Sequence, residues 1–305
     1  MDEQAVIAHP EPLGTHRLDL ELRQGAQTSV LRRFGQNPLA LVALLVLALL
    51  TLSALTAPLW LPRDRVLDQV RSATFASPSL HALFGRDEYG RDAFARVVYG
   101  GRVSLWVSFS SAIIATLLGT VLGMIAGYLG GWADSVIDRL IELVLTIPFL
   151  LLLILAASMA RPSQTSIILI LGLFGWPVLA RLVRGEFIAL RRRDYVDAAR
   201  TAGCSSTRII LRHILPNAMA PIIVTGTLIL ATNLTAEAAI SFLGLGIQPP
   251  TPSWGNLLTN AQNYVISAPF LAIIPGLMIL ITVLCVNVLG DALRDALDPR
   301  LRGRH

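Results

Sequence analysis

The side chains of this sequence that could do chemistry are few, and their types exclude more than they permit. All 25 basic residues are arginine, and lysine is absent. A phosphate-binding loop of the GxxxxGK[ST] kind and a Schiff-base lysine are therefore both ruled out, so any nucleotide hydrolysis coupled to this chain belongs to another chain. His9, His16, His81, His213 and His305 stand apart from one another, and Cys204 and Cys285 are the only cysteines. No ligand spacing links them, which argues against a metal site and a disulfide framework. Glu237, with Asn233 one turn before it, is the carboxylate deepest within an apolar run. An ionisable group there is costly enough to raise a functional question: it can meet a solute or coupling ion, or hydrogen-bond a neighbouring helix.

The elements that must position these groups are membrane spans. The 305 residues are 54% hydrophobic and 15% charged, with mean hydropathy +0.63, far outside a soluble domain of this size. An all-α polytopic membrane protein with six transmembrane helices is expected. Spans are placed at Leu39–Ala57, Val103–Tyr128, Ile137–Met159, Ser166–Arg184, Ala218–Leu245 and Pro269–Leu289, each long enough at ~1.5 Å per residue for a ~30 Å hydrocarbon core. The chain then divides into a tail (1–37), a first transmembrane helix (38–60), a loop with an interfacial helix (61–102), a five-helix core (103–290) and a second tail (291–305).

Six spans put both ends on one side. With the N-terminus inside, 17 arginines are cytoplasmic and 8 are outside, so the arginine bias favours both tails in the cytoplasm. In the loop from Pro58 to Gly101, Phe94, Val97 and Val98 fall on one helical face with Arg96 off it, which predicts a short amphipathic helix lying at the outer interface. Gly119, Gly123 and Gly127 share a face of the second span, as close helix packing requires. Pro148 and Pro177 predict kinks in the third and fourth spans. Glu142, Asp138 and Arg139 lie at a span boundary and read as interfacial.

Between the fourth and fifth spans runs a polar stretch with its own order, Asp194 to Asn217. Tyr195, Ala198, Ala199 and Ala202 recur at helical spacing, with Asp194 as the expected N-cap. Gly203 ends that helix. Ser205 or Ser206 can start a second short helix, in which Ile210 and Ile214 share a face, and Pro216 marks the beginning of the next apolar segment. Such a hairpin either docks a partner through its small-residue face or merely connects two spans.

The residues resemble the EAA loop of bacterial binding-protein-dependent ABC import permeases. Asp197-Ala198-Ala199, Gly203 and His213-Ile214-Leu215-Pro216 stand in that family's spacing, with Asp197 where the family usually has Glu. Two further stretches are similar to the dipeptide, oligopeptide and nickel branch. One is Gly85-Arg86-Asp87 leading to Gly101-Arg102-Val103-Ser104-Leu105. The other is Ile240-Ser241-Phe242-Leu243-Gly244-Leu245-Gly246 followed by Pro249-Pro250-Thr251-Pro252-Ser253-Trp254-Gly255. The resemblance implies a type I importer permease fold, with residues 191–216 as a cytoplasmic coupling hairpin in which Asp197, Ala198, Ala199, Gly203, His213, Leu215 and Pro216 contact the ATPase. It also implies a bacterial cytoplasmic membrane, a homologous second permease subunit, two ATP-binding subunits that carry ATP and Mg, and an extracytoplasmic solute-binding protein. No cofactor is expected on this chain and nucleic acid is not an expected partner. Because relatives often carry Glu or a small polar residue at position 237, the resemblance favours a packing role for it.

Peptide is the expected cargo, with nickel as its rival. No Met/His/Cys cluster in the spans marks a metal path. An ion-coupled secondary transporter would need more intramembrane carboxylates than Glu237, and an intramembrane hydrolase would need a base beside a nucleophile where no histidine lies in a span.

Overall fold

The computed structural model describes residues 34–80, 82–259 and 261–297; most of both expected tails lies outside them. Helix α1 (Pro38–Trp60) begins with Asn37 accepting a hydrogen bond from the Ala40 N–H and with Pro38 in the first turn, where no N–H is needed. Its alanines 40, 43, 54 and 57 face inward while Leu45, Leu49, Leu52 and Leu55 stay exposed. That distribution suits a lipid-facing span whose small face packs on the bundle. A single turn, α2 (Asp64–Leu67), follows.

Helix α3 runs from Ala93 to Leu129 without interruption, ~55 Å at 1.5 Å per residue. The expected interfacial helix is thus not a separate element but the first turns of this span. Phe94 and Val98 pack on Leu61 and Val66, Val97 packs on Leu234 and Trp254, and Arg96 is buried. Residues that looked like one wetted amphipathic face are enclosed on several sides by the loop and by distant helices.

The predicted third span is broken. Helices α4 (Gly131–Thr146) and α5 (Phe149–Met159) meet at 89° across Ile147-Pro148. Proline at 148 has no N–H to continue the ladder and holds the preceding residue extended, so the turn is far sharper than a kink. The fourth span, Gln164–Leu190, is built from α6 (Gln164–Phe174) and α7 (Pro177–Leu190), with Gly175 and Trp176 between them.

Helix α8 (Asp194–Thr201) and the turn α9 (Ser206–Ile209) form the hairpin; five residues of wider π-helix (Ile210–Ile214) lead straight into α10 (Leu215–Phe242). A five-residue helix, α11 (Trp254–Leu258), precedes α12 (Phe270–Leu297). No strand occurs among the described residues; the loop before α3 holds only isolated bridges such as Arg86 with Asp92.

The helices are zipped at named contacts. A Cβ on Gly119, Gly123 or Gly127 would come within 2.8, 2.6 and 2.6 Å of the carbonyl oxygens of Trp176, Ala180 and Arg184. Only hydrogen fits there, so α3 and α7 approach backbone to backbone. Because both sets of numbers rise together, α3 and α7 run parallel. The chain must therefore recross the membrane between Leu129 and Gln164, and α4 with α5 makes that crossing despite its bend. Among the described residues five helices are long and apolar enough to span alone, and this return supplies a sixth. Helix α10 runs antiparallel to α3, with Gly226 against Thr116 and Asn233 against Ser111.

Candidate functional site

In the hairpin, Val196 and Ala199 of α8 are buried with Ile209, Ile214 and Ala218 against Val183, Phe187 and Tyr128. Its other face, Tyr195, Asp197, Ala198, Ala202 and Gly203, is exposed. Of the four small-face residues expected to act together, Ala199 therefore turns inward, and Tyr195, Ala198 and Ala202 remain available to a partner. The N-cap is Arg193, with Asp194 and Asp197 in the first turn. Asp194 is one position later than expected, where its charge still favours the positive end of the helix. Asp197 pairs with Arg200 at 2.9 Å in solvent, a contact of little energetic weight.

Gly203 has φ +77°, with the Gly203 N–H on the Arg200 carbonyl and the Cys204 N–H on that of Ala199. Nothing approaches within 4 Å of where its Cβ would be. Left-handed backbone, not lack of room, selects glycine here.

The second arm departs from expectation in a way that bears on mechanism. Pro216 does not separate a short helix from the next span: Ser206–Phe242 is one 37-residue helix. The N–H that Pro216 lacks is accommodated by the π-turn before it, in which the Leu215 N–H reaches the Ile210 carbonyl. Leu215 packs on the hairpin core, and the His213 carbonyl accepts from Asn217 Nδ2 at 2.6 Å. Pro216 is exposed and His213 partly exposed, and the neighbouring Asn217 amide reaches the Tyr195 hydroxyl of α8 at 3.5 Å.

About 40 and 46 Å along the same helix, at 1.5 Å per residue from Ser206, lie Asn233 and Glu237. Both are sealed in helix packing. Asn233 Nδ2 donates to Ser111 Oγ at 2.9 Å, and Ser241 Oγ donates to Glu237 Oε1 at 2.8 Å. Ser104, Ser108 and Ser111 form a fully buried stripe on α3 that faces α10. Ser104 Oγ accepts the Trp254 N–H at 3.1 Å, Trp254 Nε1 donates to the Val97 carbonyl at 2.9 Å, and Ser241 Oγ accepts the Ile247 N–H at 3.1 Å. The Trp254 ring lies on Gly101, whose Cβ would meet Cζ2 at 2.8 Å. Glu237 thus belongs to a polar knot that ties α3, α10 and the loop before α11. Sequence reasoning missed the serines, although spacing of four and three residues in an apolar span was the available sign.

A second tie escaped it too. Arg184 on α7 grips Asp134 on α4 through Nε at 2.5 Å and NH2 at 2.9 Å, and reaches Asp138 at 3.4 Å. Beside it, Arg191 NH1 donates to the Tyr128 carbonyl. Asp138 is therefore part of a clamp on the broken span, whereas Arg139 and Glu142 pair with each other in the open.

Parallel glycine-zipped helices, a broken span and a hairpin continuous with the next span define a multi-pass transport permease. The chain belongs to the family of binding-protein-dependent transport system inner membrane components, whose model matches residues 119–303; residues 28–78 match the N-terminal TM domain of oligopeptide transport permease C. The dipeptide transport system permease protein DppC of Alkalihalophilus pseudofirmus is 39% identical over 293 residues, 96% of each chain. A putative peptide transport system permease protein of Brucella abortus is 39% identical over 89% of this chain and 91% of its own. The di/tripeptide transport system permease protein DppC of Pseudomonas aeruginosa is 38% identical over 88% and 90%. A chain of the MetNI methionine ABC transporter, solved in an inward-facing conformation, matches with TM-score 0.55 at 19% identity over 67% of this chain and 97% of its own, which shows the shared fold.

Proposed function

We propose that the chain forms half of the translocation path of an ATP-driven importer of di- and oligopeptides. Its companions are a homologous second permease subunit, two ATP-binding subunits holding ATP and Mg, and a solute-binding protein on the other face of the membrane. The hairpin end lies in the cytoplasm, in line with the arginine bias.

The observation that carries this reading is the unbroken helix from Ser206 in the hairpin to Phe242 in the fifth span. A motor protein that grips Tyr195, Ala198, Ala202 and the turn at Gly203 acts on one end of a rod whose other end is Glu237 and its knot. Closure of two ATP-binding subunits draws two such hairpins together, and the rods convey that movement through the bilayer. Since this chain has no lysine for a phosphate loop, it supplies the handle and the path, and the companions supply hydrolysis.

The test is uptake by the complete assembly in proteoliposomes, with dialanine and nickel as alternative cargoes. Dialanine should enter only with ATP inside, and Ala198→Trp should abolish uptake while leaving insertion intact. Uptake that follows a proton gradient without ATP, or that persists in full with Ala198→Trp, would falsify the proposal; nickel uptake without dialanine uptake would move the cargo assignment alone.

A further inference from the structure

At the end of α3 opposite the hairpin, the loop from Gly85 to Asp92 folds against the segment between α11 and α12 and encloses a pocket of about 40 Å³. Asp87, Glu88, Arg91, Arg96, Asn256 and Phe270 are among its walls, with Leu257 and Ile274 beside them. Arg96 is only 4% exposed, yet its Nε and NH1 make no hydrogen bond among the described residues. A buried guanidinium with unused donors is expensive, and native structures rarely leave one so.

The carboxylate nearest to it is already committed. Asp87 Oδ1 accepts the N–H groups of Tyr89 and Arg91, and Oδ2 accepts Arg91 Nε at 2.7 Å. Arg96 Nε stands 3.3 Å from the same Oδ2, close enough for attraction but outside hydrogen-bond geometry. The other charges nearby are also spoken for. Glu88 lies 3.6 Å from Arg91, Asp92 caps α3 through the N–H groups of Phe94 and Ala95, and Arg86 donates to the Gly90 carbonyl. Asn256 spends both its Nδ2 hydrogens on the Ile247 and Thr251 carbonyls. Three arginines therefore face three carboxylates, and the buried donors left without a partner among the described residues are Arg96 Nε and Nη1.

We infer that this pocket is a carboxylate-binding site, with Arg96 Nη1 as its donor. The Nε and Nη1 hydrogens diverge, so a carboxylate meets Nη1 through one oxygen, in a charge-assisted hydrogen bond. The volume has room for more than a single water, enough for a carboxylate. The aromatic and aliphatic walls, Phe270, Leu257 and Ile274, suit the carbon that bears the group. Two owners are open to it, the terminal carboxylate of a peptide solute and an Asp or Glu side chain of a docking protein. Only this question of ownership rests on the importer reading, since the donor arrangement stands without it.

The experiment uses the full chain in lipid nanodiscs and follows its unfolding midpoint with sodium acetate or sodium chloride at matched ionic strength, then with dialanine or its C-terminal amide. Acetate and dialanine should raise the midpoint saturably, as a ligand bound only by the folded state must, whereas chloride and the amide should not. Arg96→Gln should raise the acetate concentration for half effect at least tenfold. Dialanine acting at a tenfold lower concentration than acetate supports the solute as owner; equal potency supports a protein side chain. The inference is overturned by equal effects of acetate and chloride, by an amide as potent as the acid, or by an unchanged half-effect concentration in Arg96→Gln. The acid and amide are compared on the unaltered protein, so they decide the matter even where the variant fails to insert. A transport failure leaves the acetate result standing, which keeps the two readings separable.

Discussion

Replacing Gly203 by alanine separates two explanations of the hairpin turn. Its φ of +77° is left-handed backbone, which disfavours an L side chain by ~1 kcal/mol, and no atom within 4 Å adds a clash. The expected effect of Gly203→Ala is therefore strain alone, about fivefold in the closed-to-open ratio of the turn. Gly203→Asn should cost less, because asparagine tolerates this region. Hydrogen exchange on the assembly in nanodiscs reads the effect at the Gly203 and Cys204 amides, which bond the Arg200 and Ala199 carbonyls. Those amides should exchange about fivefold faster in the alanine variant under the same strain, while amides of α10 stay unchanged. Unaltered exchange in Gly203→Ala, or a larger effect in Gly203→Asn, would refute the argument that backbone conformation selects this glycine.

Gly123→Leu places side-chain atoms where even a Cβ would stand 2.6 Å from the Ala180 carbonyl and 2.7 Å from Val183 Cβ; it should destabilise the detergent-solubilised chain by ~1–3 kcal/mol or more, read as a lowered thermal midpoint, and Val183→Ala should not rescue it because that carbonyl and that Cβ both remain. Trp254→Phe removes the Nε1 bond to Val97 and should cost ~1 kcal/mol, whereas Trp254→Ala also empties the seat over Gly101 and should cost ~3–5 kcal/mol, both by chemical denaturation. Arg184→Lys keeps the charge but loses the paired contact with Asp134; it should loosen α4 nearly as much as Arg184→Gln, seen as equal gains in proteolysis between Gly131 and Thr146.

What the sequence revealed followed the physics that acts locally. Apolar length located the spans, and the polar stretch from Asp194 located the hairpin, because both depend on composition within one segment. The family signatures at Gly101–Leu105 and Ser253–Gly255 were visible separately, but nothing local shows that Trp254 sits on Gly101 or that its N–H meets Ser104, contacts about 150 positions apart. Arg96 was misplaced for the same reason. A charge among apolar residues reads as a wetted edge, and only the fold brings Asp87 and the α11–α12 segment over it. Pro148 and Pro216 show that one residue type can signal opposite outcomes. At 148 the extended Ile147 lets the chain turn through 89°, whereas at 216 a π-turn absorbs the missing N–H and the helix continues.

That continuity fixes how movement at the hairpin must spread. Helix α10 is tied to α3 by Asn233 on Ser111, and α3 is zipped to α7 over Gly119, Gly123 and Gly127. Helices held at backbone contact slide poorly, since each carbonyl occupies the only space that a missing Cβ leaves. In the proposed importer a load on α8 therefore moves α3, α7 and α10 together. The compliant elements are those with interrupted hydrogen-bond ladders, the α4–α5 corner and the Gly175-Trp176 break between α6 and α7. Arg184 bridges from the rigid group to α4 through Asp134 and Asp138, which places the clamp where the moving body meets the part that bends. The Glu237 knot sets the opposite limit: it binds the far end of α10 to the Trp254 loop, so in the proposed importer a stroke applied beside Gly203 is carried to the end that holds Arg96.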